Sequence, residues 1–279
     1  MSQEFACPEI TRNSGEALAQ FRLARINSSN ALVYADAGEM PDGRVMAYTG
    51  SGLPTTLQLL RHYGGTVRLM AAAAVSTLLA PVYAAADGKV STTNTGILVG
   101  YALETASGDG AIFEVLPCLK RVPMVTTAAS ANIGASSTSA LSFGQTFTIP
   151  AVELVAGSIL RIKASGIVVG VDSTPQHDVR LVVGTETIAT ATVAAAAAND
   201  QFNIEAEVVF RAVGGSGSLI GQTKDAHDAA GIGALYVNKA AASEDTTGGL
   251  TVDVTGQFNA SHASNLARLD LLVVEHLRP

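Results

Sequence analysis

From Gln201 to Val213 the chain alternates apolar and polar side chains with one interruption. Phe202, Ile204, Ala206, Val208, Phe210 and Ala212 fall on one side. Gln201, Asn203, Glu205, Glu207 and Arg211 fall on the other, with Val209 as the exception. A period of two is that of a half-buried antiparallel strand, because successive side chains point to opposite faces of a sheet. A strand this long needs long partners and a second layer to cover its apolar face.

The flanking sequence supplies candidates for both. Residues 145–149, 158–163, 178–183, 186–193, 249–257 and 268–275 are short apolar or alternating runs bounded by Gly, Pro, Asn or Asp. Such spacing predicts a jelly-roll-like β-sandwich over residues 131–279. Upstream, residues 31–34, 44–48, 66–70, 81–84, 96–102 and 111–116 read as strands, with turns at Asp87-Gly88 and Ser107–Gly110. Residues 55–61 (TTLQLLR) read as a helical turn. The expected fold class is therefore all-β: a small β-barrel, β-tulip-like, over residues 31–117, then the sandwich. No period of 20–50 residues recurs, which argues against a solenoid.

The boundary is read from proline. Pro117 and Pro123 bracket a segment followed by an aperiodic Ser/Thr/Ala stretch, and proline removes the donor that a ladder needs. A linker is expected at 118–130, and residues 1–30 are expected to be an extended N-terminal arm.

Composition narrows the chemistry. Charged residues make up 15% of the chain, against about 25% in an average soluble protein. Residues 1–125 carry 9 basic and 10 acidic side chains and residues 126–279 carry 8 and 14. No basic run exists to follow a phosphate backbone, so nucleic acid is not an expected partner. Residues 69–86 are uncharged, but Pro81 and the Asp87-Gly88 turn make them a pair of buried strands rather than a membrane span. The polar N-terminus lacks the pattern of a secretory signal.

No catalytic, cofactor-binding or metal-ligating residue is expected, and no enzyme. The five histidines are His62, His177, His227, His262 and His276. The densest polar cluster, Lys224-Asp225-Ala226-His227-Asp228, reads as a solvated loop, since a metal needs three or four converging ligands. Gly214–Ser218 reads as a flexible loop rather than a nucleophile elbow. Gly50-Ser51-Gly52 lacks the strand–helix setting of a phosphate loop. Glu205 and Glu207 read as a solvated outer face. Cys7 and Cys118 stand far apart and read as incidental thiols, with a bridge between them left open.

One segment resembles a known family. Residues 81–117 contain Pro81-Val82-Tyr83, Asp87-Gly88-Lys89-Val90, Val99-Gly100-Tyr101-Ala102-Leu103-Glu104 and Gly108…Val115-Leu116, in that order. This resembles the capsid decoration (cement) proteins and head fibres of tailed bacteriophages. The stretch Phe147…Ile149-Pro150…Gly157-Ser158…Leu160-Arg161-Ile162 resembles lead-ins to outer domains of phage surface proteins. The resemblance implies a virion protein made in the host cytoplasm and bound outside the expanded capsid. It implies a homo-oligomer, usually a trimer with contacts near Ala71–Ala74, that bridges subunits of the major capsid protein. The N-terminal arm (Phe5, Ile10, Leu18, Phe21, Leu23) would then order on the shell. The alternative is a head fibre or a module binding host-surface glycan through Phe143, Phe147, Phe202, Phe210, Tyr236 or Phe258.

Overall fold

Apolar side chains at alternate positions, cut every few residues by glycine or proline, leave the backbone little choice but short antiparallel strands. The computed structural model describes residues 8–60, 65–133, 138–169, 176–194, 200–227, 235–262 and 264–279, and these are nearly all strand and turn. The chain divides into Met1–Val122 and Pro123–Pro279.

Among the described residues the first unit holds ten strands: β1 (Glu9–Asn13), β2 (Leu23–Ile26), β3 (Leu32–Tyr34), β4 (Gly43–Val45), β5 (Pro54–Leu59), β6 (Val67–Met70), β7 (Pro81–Ala84), β8 (Val90–Ser91), β9 (Ile97–Ala102) and β10 (Ile112–Arg121). They form two five-stranded sheets, in the orders β1-β5-β4-β2-β3 and β6-β10-β9-β7-β8. The two orders are the same order. The second sheet repeats the first, strand for strand, 57 or 58 residues later.

The equivalence extends to single residue pairs and hydrogen bonds. Asn13 pairs with Pro54 as Met70 pairs with Ile112. Arg44 pairs with Gln58 as Tyr101 pairs with Leu116. The parallel bridge Ser14–Leu32 recurs as Ala71–Val90, and Leu18–Thr49 recurs as Val75–Ala106. Gly52 N–H donates to the Ser14 carbonyl at 2.8 Å, and Gly110 N–H to that of Ala71 at 2.9 Å. The cores match as well. Leu18, Ala24, Leu32, Val45 and Leu57 in the first repeat stand where Val75, Val82, Val90, Ala102 and Val115 stand in the second. Gly43 and Gly100 share one cause: a Cβ on either would lie 2.2 Å from the carbonyl oxygen of the facing strand.

The second unit begins with β11 (Met124–Val125), β12 (Leu141–Ser142) and β13 (Phe147–Ile149). It continues with β14 (Ile159–Val169), β15 (Gln176–Val183), β16 (Glu186–Ala194), β17 (Asp200–Ala212) and β18 (Gly217–His227). β19 (Leu235–Glu244), β20 (Leu250–Phe258) and β21 (Leu266–Leu277) complete it. One sheet runs β11-β21-β14-β17-β18-β19, the other β12-β20-β15-β16 with β13 also on β20. The alternating strand is β17, and Phe202, Ile204, Val208 and Phe210 are buried in the core with Leu160, Ile162 and Phe258. Each such side chain removed from water contributes roughly 1.5–3 kcal/mol.

Four expectations are corrected. Residues 9–26 are not an arm: β1 and β2 are built into the first sheet, and Leu18 and Leu23 are fully buried. Without them β4 and β5 would lose their outer ladders. Residues 1–7 lie outside the described residues. Residues 118–130 are not a free linker. After a bulge between Pro117 and Lys120 the β10 ladder resumes at Lys120–Leu98, while Met124 already pairs with Val274. A bulge is where a strand tolerates proline. Residues 54–59 form β5 rather than a helical turn, because Thr55 and Leu57 are buried against β1 and β4. Lys224–His227 belong to β18 rather than to a loop.

Candidate interaction surface

The second repeat turns an apolar sheet face outward. On β10, Phe113 and Val115 point into the core, which sends Ile112, Glu114 and Leu116 to the opposite side. Ile112 and Leu116 are each 45% exposed. Leu116 lies opposite Tyr101, and Tyr101 opposite Pro81, so a row crosses three strands. Tyr83 stands beside it on β7. Burial and the neighbouring Tyr101 raise its phenol pKa.

The row ends at a turn with an unusual residue. Leu79 has φ +59°, a left-handed conformation that costs a non-glycine residue about 1–2 kcal/mol. Its N–H donates to the Ala102 carbonyl at 2.7 Å, which holds the turn. Leu78 and Leu79 are both largely exposed, Leu79 at 65%. Polar groups rim the face. Thr66 Oγ1 bonds Glu114 Oε1, and Glu104 Oε2 accepts the Glu114 N–H at 3.1 Å.

The Asp87-Gly88 turn closes the β7–β8 hairpin and also locks the two repeats together. Asp87 and Gly88 have φ +57° and +68°, and Lys89 N–H donates to the Ala86 carbonyl, the geometry of a tight hairpin turn. Asp87 N–H donates to Asp36 Oδ1 at 2.8 Å, and Arg22 Nη1 to the Asp87 carbonyl at 3.2 Å. A Cβ on Gly88 would sit 2.3 Å from the Leu23 carbonyl oxygen, so glycine is required for this approach as well as for the turn. Lys89 pairs with Asp109 at 2.7 Å and holds that carboxyl below its ordinary range.

The other residues singled out from sequence do not converge. Among the described residues no group of three or more His, Cys, Asp or Glu could hold a metal. His177 and His276 are buried, His262 is exposed, and His62 and Asp228 lie outside the described residues. Glu205 and Glu207 line an outer face of the sandwich beside Lys163 (3.3 Å) and Arg161 (4.0 Å). Cys118 is an exposed free thiol, and Cys7 lies outside the described residues. Gly50–Gly52 is the turn equivalent to Gly108–Gly110. Of the aromatic residues considered for sugar binding, Phe143, Phe202, Phe210 and Phe258 are core and Phe147 packs against it. Ala71 is buried in its own repeat, whereas Ala73 and Ala74 are exposed.

Sequence reasoning missed this face because its members, Leu79, Pro81, Tyr101 and Leu116, are scattered along the chain. The signal that could have found it is the pair of adjacent leucines at a turn, where polar residues are usual.

No family model and no curated protein matches the chain. Among solved structures, it is similar to the N base of the head fibre gp8.5 of bacteriophage phi29. That match has 15% identity and a TM-score of 0.36, over 41% of this chain and 97% of that one. A structure of the infectious bursal disease virus Gx strain aligns at 11% identity and a TM-score of 0.15, over 97% of this chain and 76% of that one. Likenesses this distant leave the function to the geometry.

Proposed function

We propose that the chain is a structural protein of a tailed-phage head. In this reading it binds the outside of the expanded shell through the first unit, presents the second unit away from it, and ties neighbouring shell subunits together. The observation that carries the reading is the tandem repeat. One chain offers two five-stranded modules of the same strand order, which suits a partner that itself recurs at short, regular spacing. Two modest contacts linked in one chain act at high effective concentration, so a repeated partner is gripped far more tightly than by either module alone. Residues 81–117, which resemble cement proteins, coincide with β7–β10 of the second repeat. Bridging would strengthen the shell by geometry alone, without chemistry.

The test is sedimentation of purified chain with expanded heads that lack it. Saturable co-sedimentation, with heads that then survive higher temperature, is the expected result. Heads that sediment without the chain, at concentrations well above that of their subunits, would refute the reading.

A further inference from the structure

The two repeats are joined head to tail, so the same joint leaves one unused surface at each end of the first unit. Within the chain, the second repeat covers one face of the first. Met70 N–H at the end of β6 donates to the Phe21 carbonyl at 3.0 Å, and Arg44 Nη1 donates to the Arg68 carbonyl at 3.2 Å. Leu23 is buried in one cluster with residues of the second repeat. The covered face therefore contains Phe21, Leu23 and Arg44, with Gln58 opposite Arg44 and only 6% exposed.

The repeat identifies the counterpart of each. Phe21 and Leu79 share both a left-handed φ and a bond from their own N–H to an equivalent carbonyl, Val45 and Ala102. Leu23 lies opposite Arg44 as Pro81 lies opposite Tyr101. Gln58 corresponds to Leu116. The face that is covered in the first repeat is thus the exposed face Leu79–Pro81–Tyr101–Leu116 in the second, and there it is the more apolar of the two. The complementary surface is open too. Met70 corresponds to Asn13, at the end of β1, where Glu9, Thr11, Arg12 and Asn13 are exposed. Ser14 N–H is bonded to Leu53, so by strand alternation the Asn13 N–H points away from β5, as that of Met70 points away from β10.

We infer that the face Leu79–Pro81–Tyr101–Leu116 binds β1 of a second copy of this chain, continuing between chains the contact that joins the repeats within one. Such an interface is heterologous and assembles chains in a ring when its rotation closes. It places the self-contact on this face rather than on Ala71–Ala74. The inference rests on the repeat and not on shell binding: a chain that self-associates but ignores heads would refute the proposed function and leave this standing.

Sedimentation velocity of the full chain tests it. Wild type is expected to run as a multiple of the chain mass, and Leu79→Asp/Leu116→Asp as a single chain with an unchanged circular dichroism spectrum and a cooperative melt. Both substituted side chains are exposed, so folding should survive. A short bismaleimide applied to Asn13→Cys/Leu79→Cys, in a Cys7→Ser/Cys118→Ser background, is expected to give covalent multimers that neither single cysteine gives. A wild type that is monomeric at micromolar concentration would overturn the inference. So would a double variant that assembles like wild type, or a cysteine pair that fails to link assembled chains.

Discussion

His177 lies on β15 in the core of the second unit and is 2% exposed. Its ring meets that of Phe258 at 4.2 Å between centroids, and neither ring nitrogen has a hydrogen-bond partner. From β20, Gly256 also packs on the imidazole. The charged group beside it is Asp178 on its own strand, which bonds Arg180 and Thr192 instead. Burial lowers the His177 pKa from 6.5 to about 4, against a smaller opposing pull from Asp178. The folded protein therefore holds the neutral ring while the unfolded chain protonates it near 6.5. Above that pH the group costs no stability. As pH falls from 6.5 to about 4 the unfolded state takes up the extra proton. The fold then loses up to about 3 kcal/mol, since each tenfold difference in proton affinity between the two states is worth about 1.36 kcal/mol. Asp253, whose pKa burial raises, acts in the opposite sense at the lower end of that window. A difference measurement removes its contribution. Guanidinium unfolding of wild type and His177→Leu should be followed at pH 7.5 and pH 4.5, using the transition of the second unit. The wild type should lose roughly 2–3 kcal/mol more than the variant between the two pH values. Parallel losses in the two proteins would refute the assignment of a buried neutral imidazole.

Further outcomes follow from other contacts. Gly100→Ala and Gly43→Ala each drive a Cβ to 2.2 Å from a facing carbonyl oxygen, so each should destabilise the first unit by more than about 2 kcal/mol and leave the second unit's transition in place, as read by urea melts. Glu244 is buried and accepts from Thr185 N–H at 3.0 Å and Thr185 Oγ1 at 2.7 Å; Glu244→Ala should cost about 1.5–3 kcal/mol in the second unit, measured in the same melts. Arg161→Ala removes two exposed 4.0 Å pairs, to Glu207 and Glu275, and should shift stability by less than about 1 kcal/mol, vanishing in high salt.

Where a side chain's local pattern sets its environment, the structure agrees with the sequence. The alternation at 200–212, the turn at Asp87-Gly88 and the strands at 81–84 and 97–102 all stand within a residue or so of their expected bounds. The reading of 55–61 misled because Leu57, Leu59 and Leu60 have no polar partner between every pair, so their period was ambiguous; pairing with β1 and β4 made 54–59 a strand, and Arg61 lies outside the described residues. Gly214–Ser218 and Lys224–Asp228 read as loops because small and charged residues dominate them, but β17 provides a ladder that accepts residues 217–227 in extended form.

The amino-acid sequence by itself determined the class of fold, the position of the tight turns and the burial of one side of each long strand. These depend on local periodicity and on the few residues that tolerate left-handed backbone. The repeat, and the open face that follows from it, were decided by tertiary structure. Leu18 and Val75, Leu57 and Val115, or Arg44 and Tyr101 share a backbone position without sharing a side chain, because a strand in a small sheet asks only for an apolar group of fitting size on one face. Exposure is likewise a property of neighbours: Leu23 is buried because the second repeat lies over it, while Pro81, at the same place in that repeat, has no such cover within the first unit.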